Sequence, residues 1–186
     1  MIDSEKIVLG SGKLYIKEFT GGDIPEDSLI ETEANRLGYI QGGASMEYKP
    51  ETYTAEDDLG LVSITKLTKE TVVFKTGLMT WCGKTLKNLC ETARVTEDTS
   101  KRIRTVKLGG IKNQDGKNYI IRFVQEDPKS GTIRVTIVGK NTLGITLAWA
   151  KDKETVVDAE FNATPLDGDG TLVIYEEDIL EEAVGG

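Results

Sequence analysis

Apolar and polar side chains alternate at every second residue, and this pattern constrains the fold of the chain more than any other feature. It recurs in runs that begin at Leu14, Ala44, Tyr119, Ile133, Ile145 and Val157. Such runs place one face of a strand in a core and the other face towards solvent, as antiparallel sheets do. The sequence therefore predicts a mainly β fold, an antiparallel β-sandwich or barrel of roughly nine or ten strands.

Turn residues and one helical stripe complete the predicted architecture. Gly42-Gly43 is expected to form a turn before the Ala44 run, and residues 167–170 to form a turn before the last strand. Apolar residues follow helical spacing only in residues 84–94, at Leu86, Leu89, Cys90 and Ala93. We expect this one α-helix to flank the sheet.

The 186 residues suit a single domain, spanning 1–186, with long extensions. Residues 20–35 and 50–60 are rich in acidic or small polar residues and are expected to be long loops, which in compact domains are usually functional or flexible. Residues 1–12 are expected to form an N-terminal arm. The acidic tail, residues 176–186, is expected to form a short helix or to fray.

Composition argues against several classes of function. The chain has no histidine, so Ser-His-Asp and Cys-His catalytic arrangements are excluded. Cys82 and Cys90 have no zinc-site spacing and are expected to be reduced thiols. The net charge of -8 opposes tight binding to nucleic acid or to anionic membranes. The first residues are charged and resemble neither a signal peptide nor a membrane span, so we expect synthesis in the cytoplasm.

Three short motifs could be mistaken for sites. Residues 10–13 lack the spacing of a phosphate-binding loop, and residues 167–170 lack the later ligands of a calcium loop. The acidic clusters at residues 56–58 and 176–178 could supply paired carboxylates, but no apolar pocket is evident beside them. We therefore expect no catalytic, cofactor-binding or metal-binding residues.

An ordered series of segments resembles the tail tube (major tail) proteins of phages of Gram-positive bacteria, or the tube protein of a related tail-like particle. The series covers most of the chain: residues 37–44, 47–50, 57–60, 75–81, 86–95, 133–139, 151–165 and 170–177. The resemblance implies a structural subunit that forms hexameric rings, which stack into a hollow tube in a virion tail assembled in the cytoplasm of a bacterial host. It also implies contacts with a tape-measure protein and with tail terminator and baseplate or distal tail proteins. Double-stranded DNA would pass through the lumen without specific binding, and no membrane would be involved.

Three groups of residues are candidates for the contacts that such a tube requires. The inter-subunit loop is predicted to use Pro50, Tyr53, Asp57, Asp58 and Leu59, with Tyr53 and Leu59 as apolar anchors. The N-terminal arm is predicted to use Ile7, Val8 and Leu9. Candidates for the lumen are Asp158, Glu160 and Asn162, together with the polar faces that carry Arg122, Glu126, Arg134 and Thr136.

Two other functions fit a β-rich chain. A carbohydrate- or ligand-binding β-sandwich module would need a cluster of exposed aromatic side chains or a metal, and aromatic residues make up only 6% of the chain. A carboxylate-based hydrolase would need two facing acids in a cleft, which no motif places. The sequence does not distinguish contractile, non-contractile and headless tails.

Overall fold

Strands dominate the backbone. The computed structural model describes residues 11–128 and 130–179. Strands account for 51% and helices for 10%, and all strand pairs are antiparallel, which confirms the predicted mainly β, sandwich-like fold. The elements in chain order are β1 (Lys13–Phe19), α1 (Asp27–Ile30), a 3-10 turn (Glu33–Asn35), β2 (Arg36–Gly38), β3 (Ile40–Glu56), β4 (Ser63–Leu78), α2 (Gly83–Leu89), β5 (Arg94–Asp98), β6 (Ile103–Lys107), a 3-10 turn (Ile111–Asn113), β7 (Asn118–Asp127), β8 (Gly131–Asn141), β9 (Val157–Thr164) and β10 (Ile174–Glu177).

One eight-stranded sheet folds over on itself to make the two layers. Its order is β2-β1-β7-β8-β9-β4-β3, and β10 also pairs with β8. Residues 133–136 of β8 pair with β10, whereas residues 138–141 of the same strand pair with β9. Because β8 changes partner along its length, the β9-β4-β3 part turns over the β1-β7-β8 part. A separate hairpin, β5-β6, lies against α2.

The main core fills the space between these two layers. Leu14 from β1, Ile137 from β8, and Leu78 and Phe161 from the opposite layer are almost completely buried. The rings of Phe74 and Phe123 meet across the layers with centroids 5.9 Å apart. Burying these large side chains supplies most of the apolar stabilisation of the subunit.

A second, smaller core covers the other face of β1, β7 and β8. Ile30 of α1 and Leu166 pack there against Tyr15, Ile120 and other buried residues. Residues 20–35, expected to be a long loop, therefore include α1 and a 3-10 turn and fold back on the subunit. Since β7 is covered on both faces, four consecutive residues of it are buried.

The flanking helix is confirmed, but α2 ends at Leu89, earlier than the stripe predicts. Cys90 is already extended, and the amide of Ala93 donates to the carbonyl of Cys90 in a turn. Arg94 then pairs with Lys107 in the β5-β6 hairpin. The last two residues of the apolar stripe, Cys90 and Ala93, therefore lie in the turn that leads from α2 into β5.

The run at Ile145 is not a strand, which corrects the prediction from its alternation. Ile145 and Leu147 still pack against the main core. Side chains supply hydrogen bonds to some of the backbone carbonyls of this segment. The Asn141 amide donates to the Gly144 carbonyl, and the Thr155 hydroxyl donates to the Ala148 carbonyl. Alternating burial without a neighbouring strand is enough to produce the sequence pattern.

Two smaller corrections concern the ends of strands. Gly42 and Gly43 form a β-bulge inside β3 and not a turn; both have positive φ, near 80°, which glycine adopts at little cost. In the tail, residues 176 and 177 belong to β10, where Glu177 pairs with Ile133 of β8. The predicted short helix or frayed end is therefore wrong for these two residues, and residues 180–186 lie outside the described part of the chain.

Candidate assembly surfaces

A two-stranded ribbon projects from the body of the subunit. Strand β4 pairs with β9 only through residues 73–78, whereas β3 and β4 continue to pair with each other to Glu56 and Ser63. Residues 49–71, here called the ribbon, are thus held only by their own hairpin. Each arm extends about 24 Å before the tip at the usual rise per residue. The prediction of a long loop at residues 50–60 is therefore corrected, because Pro50 and Tyr53 lie in β3.

The tip of the ribbon, residues 57–62, is an ordered turn organised by Asp57. One carboxylate oxygen of Asp57 accepts from the amide of Val62 at 2.6 Å, and the other accepts from the amide of Leu59 at 3.3 Å. Hydrogen bonding to the amide of Val62 lowers the pKa of Asp57 below its ordinary value. The carboxylate of Asp57 is therefore occupied within the tip, and Asp58 beside it remains exposed.

Large apolar side chains of the ribbon are exposed to solvent. All residues 56–70 are exposed, and the six apolar side chains that lie more than half exposed on the ribbon are Tyr53, Leu59, Leu61, Val62, Ile64 and Leu67. Leu59 is 79% exposed and Leu61 is 78% exposed. An apolar set of this size on one projecting element is typical of an interaction surface and not of a free monomer surface.

The free edge of β3 adds hydrogen-bonding capacity to the same element. β3 ends the sheet order, so its outer edge carries backbone groups that no described strand pairs. Proteins normally keep edge strands short or protect them, because an open edge invites another strand. A 17-residue strand on the edge is therefore a second feature that suits contact with another chain.

The polar face of β9 carries the three lumen candidates side by side. Asp158, Glu160 and Asn162 alternate with the buried residues of β9 and share the face opposite to the main core. Lys75 of β4 lies opposite Glu160 and forms an ion pair with it at 3.3 Å. The structure thus places these three residues on one solvent-accessible face, on which the charge is mixed.

Of the other lumen candidates, Glu126 is exposed and pairs with Lys13, whereas Arg122, Arg134 and Thr136 make contacts inside the subunit. Arg122 and Thr136 are buried within the subunit, at 3% and 0% exposure. Arg122 makes ion pairs with Asp27 and Glu31 of the α1 segment, and Arg134 pairs with Glu31 at 2.7 Å. Hydrogen bonding to Glu31 raises the pKa of Arg134. These arginines hold the α1 segment on the sheet, so they do not face a bore.

This ion-pair network was missed because its acidic partners are distant in sequence. The sequence feature that could have indicated the network is Arg122 itself, a charged residue within an apolar run of β7. Two of the buried polar atoms, Nε of Arg122 and the hydroxyl of Thr136, have no hydrogen-bond partner. Burial of a charged side chain in this way requires compensation by paired acids.

The described residues offer little that a metal-binding, glycan-binding or membrane-spanning function would need. Within residues 11–128 and 130–179, no three Asp, Glu, Cys or His side chains are grouped as metal ligands. The exposed aromatic side chains in the same part of the chain are scattered; only Tyr48 and Tyr53 share a strand, β3, and the others are Tyr39, Trp149 and Tyr175. No described helix is both long and apolar enough to cross a bilayer.

The N-terminal candidates Ile7, Val8 and Leu9 lie outside the described residues. The first residues described lead straight into β1. A Cβ on Gly12 would lie 2.5 Å from the ring of Phe123 and from the carbonyl oxygen of Val124. Gly12, at the end of the predicted arm, is therefore packed tightly on β7.

Comparison with known proteins gives only distant likeness, among solved structures. No protein-family model matches this sequence, and no curated protein matches it. A chain from a solved virion of a native gene transfer agent particle aligns with a TM-score of 0.35 and 13% identity, over 88% of this chain and 95% of that one. A likeness at this TM-score and identity assigns neither a family nor a role to the present chain.

Proposed function

We propose that this chain is a structural subunit that assembles with copies of itself into rings, and that the rings stack into the hollow tube of a phage-type tail or tail-like particle. The exposed ribbon is the observation that carries the proposal. Six apolar side chains and a free strand edge project from a body whose own core is already filled. The ordered series of tail-tube-like segments in the sequence supports the same assignment.

The ribbon supplies the contact between copies in this proposal. Its Tyr53, Leu59 and neighbouring apolar side chains become buried against another subunit, which recovers the hydrophobic stabilisation that the monomer lacks. The open edge of β3 pairs with a strand of a neighbouring copy and so removes the aggregation hazard of a free edge. Six copies in a ring, with further rings above and below, satisfy both requirements.

The polar face of β9 becomes the wall of the bore. Asp158 and Glu160 present carboxylates there, which repel the phosphates of passing DNA, while Lys75 offsets part of that charge. Contacts with a tape-measure protein inside the bore, and with terminator and baseplate or distal tail proteins at its ends, belong to the same proposal. The particle would be a virion component assembled in a bacterial cytoplasm.

The test is assembly of the purified protein as a function of concentration. We expect sedimentation velocity to show species larger than a monomer, and negative-stain electron microscopy to show rings or hollow rods. In a shortened variant, an Asn-Gly turn replaces residues 50–70 and links Lys49 to Thr71, its partner across the hairpin. This variant should remain folded, because the removed side chains are exposed, and should stay monomeric.

A matched pair of variants separates the ribbon from general surface hydrophobicity. Leu59→Ser/Leu61→Ser removes two exposed apolar groups from the tip, and Leu143→Ser/Trp149→Ser removes two from another exposed segment. Only the first pair should weaken assembly. A wild-type protein that remains monomeric at every concentration and ionic strength would contradict the proposed function.

A further inference from the structure

Charge is distributed very unevenly along this acidic chain. Residues 83–112 contain eight lysines and arginines but only three acidic residues, whereas the whole chain carries -8. This segment comprises α2, β5, β6 and the first two residues of the 3-10 turn Ile111–Asn113, and is here called the basic lobe. The basic lobe is therefore a positively charged part of a subunit that is otherwise strongly negative.

Most of this positive charge is not neutralised within the subunit. Arg104 pairs with Glu97 at 2.8 Å, and Lys101 pairs with Asp98 at 3.6 Å. The remaining basic side chains are exposed and form no ion pair with any described residue; they are Lys84, Lys87, Arg94, Arg102, Lys107 and Lys112.

Part of this unpaired positive charge lies on one face of the β5-β6 hairpin. Val95, Val106 and Arg104 share the face that packs towards α2, where Gly83 allows close approach. The opposite face carries Arg94 directly across from Lys107, which is a repulsive cross-strand pair. Neither Arg94 nor Lys107 forms an ion pair with a described acid, and two like charges held side by side in this way are typical of a surface that receives an acidic partner.

Apolar side chains accompany these charges. Ile103, Thr105 and Lys107 share one face of β6. The side chain of Ile103 is 54% exposed. Leu108 and Ile111 follow β6 and are also exposed, Ile111 by 84%. The receiving surface is thus basic and apolar at once.

The tip of the ribbon has the complementary character. Glu56 and Asp58 are exposed and form no ion pair with a described residue, and Leu59, Leu61 and Val62 beside them are among the most exposed apolar side chains. An acidic, apolar tip matches a basic, apolar face in both sign of charge and hydrophobicity.

The tip cannot reach the basic lobe of its own subunit. β4 begins next to the tip at Ser63 and ends at Leu78, a few residues before α2 opens the basic lobe. At the usual rise per residue its length is about 50 Å. The tip and the basic lobe therefore lie at opposite ends of one long strand, and their contact requires two copies of the chain.

We propose that the acidic tip of one subunit docks on the Arg94–Lys107 face of the basic lobe of a second copy. This contact is head-to-tail, so every subunit both donates a tip and offers a face, and the series continues from copy to copy. The proposal rests on the self-assembly proposed above and names the surface that receives the ribbon. Association through this contact should weaken as ionic strength rises.

Charge reversal on each side, followed by recombination, tests the docking. Glu56→Lys/Asp58→Lys makes the tip basic, and Arg94→Glu/Lys107→Glu makes the face acidic. Each double variant alone brings like charges together, so we expect the concentration for half-assembly to rise by at least about tenfold. The quadruple variant and an equal mixture of the two doubles restore opposite charges, and both should assemble at close to the wild-type concentration.

Matched controls carry the same changes of charge elsewhere. Asp152→Lys/Asp169→Lys alters exposed acids far from the tip, and Lys84→Glu/Lys87→Glu alters the α2 side of the basic lobe. Both should assemble like the wild type. If the wild type assembles but the tip and face doubles assemble equally well, or the quadruple variant is as defective as either double, the docking is refuted while self-assembly stands. If the wild type does not assemble at all, the proposed function itself fails.

Discussion

The ion-pair network beneath α1 predicts that removing an acid and removing an arginine will lower the stability of the subunit by different amounts. Arg122 is 3% exposed and pairs with Asp27 and with Glu31, the latter at 3.2 Å. The side chain of Glu31 is 16% exposed and also pairs with Arg134, whereas that of Asp27 is 49% exposed. Removing the buried cation and removing its buried acid should therefore have unequal costs.

Arg122→Met should cost little stability. Glu31 keeps Arg134 at 2.7 Å, and Asp27 is hydrated, so no buried charge is left alone. The substitution also removes the Nε atom that has no hydrogen-bond partner. Replacing a buried ion by an apolar group of similar volume is often nearly neutral, and we expect a loss of about 1 kcal/mol or less in the free energy of unfolding.

Glu31→Gln should cost more. It keeps the shape of the side chain but removes the negative charge shared by Arg122 and Arg134, and leaves the buried guanidinium of Arg122 with Asp27 and Glu176, two acids that are both about half exposed. Breaking a buried pair by removing one partner typically costs about 3 kcal/mol or more. Glu31 should therefore contribute more to the stability of the fold than Arg122.

Urea unfolding at neutral pH, followed by tryptophan fluorescence, measures both losses. Glu33→Gln is the matched control, because the side chain of Glu33 is 80% exposed and its pair with Arg36 should contribute less than about 1 kcal/mol. The slope of the free energy against urea should stay the same in all variants. A loss for Arg122→Met equal to or greater than that for Glu31→Gln would refute the argument from uncompensated charge.

Three further outcomes follow from single side chains. Phe161→Ala, which empties a fully buried site between the layers, should lower the free energy of unfolding by about 3–5 kcal/mol in the same urea assay. Arg102→Gly should raise it by up to about 1 kcal/mol, because Arg102 has a positive φ of 54° that glycine adopts without strain. Burial raises the pKa of the Cys90 thiol; at Cys82 burial acts in the same sense, but hydrogen bonds from the amides of Thr85 and Lys84 outweigh it and the pKa is lowered. Iodoacetamide should therefore label Cys82 before Cys90 as pH rises, and mass spectrometry after Cys82→Ser should show only slow labelling.

Strands were predictable from sequence wherever their two faces differ in burial. β9 is the clearest case, because Val157, Ala159 and Phe161 are buried while the residues between them are less so. The run at Ile145 shows the same alternation without a strand, since burial and not pairing produces the pattern. Periodicity therefore reports which side chains are covered and leaves the hydrogen-bond partner of the backbone open.

In the ribbon the backbone is paired but the sequence does not alternate, so its strands were not predicted. Residues 49–71 are exposed on nearly every side, so no alternation marks them as strands, and the acidic, polar composition of residues 50–60 predicts a loop there. Tyr53 and Leu59 were nevertheless recognised, because large apolar residues are unusual in a polar segment. The Arg94–Lys107 pair could not be found this way, since it depends on the register of β5 with β6.

The subunit divides into a body that is complete alone and a ribbon that is not. The body buries its apolar side chains in two cores, and α1 is tied down by the arginine network, so it should fold without a neighbour. The ribbon beyond Val72 has no such support, and an isolated two-stranded hairpin is marginally stable in water. Docking of the tip on another copy would therefore both bury apolar surface and hold the ribbon in its paired state. Folding of the body and ordering of the ribbon should therefore be separable, and the ribbon should gain its order only when another copy contacts it.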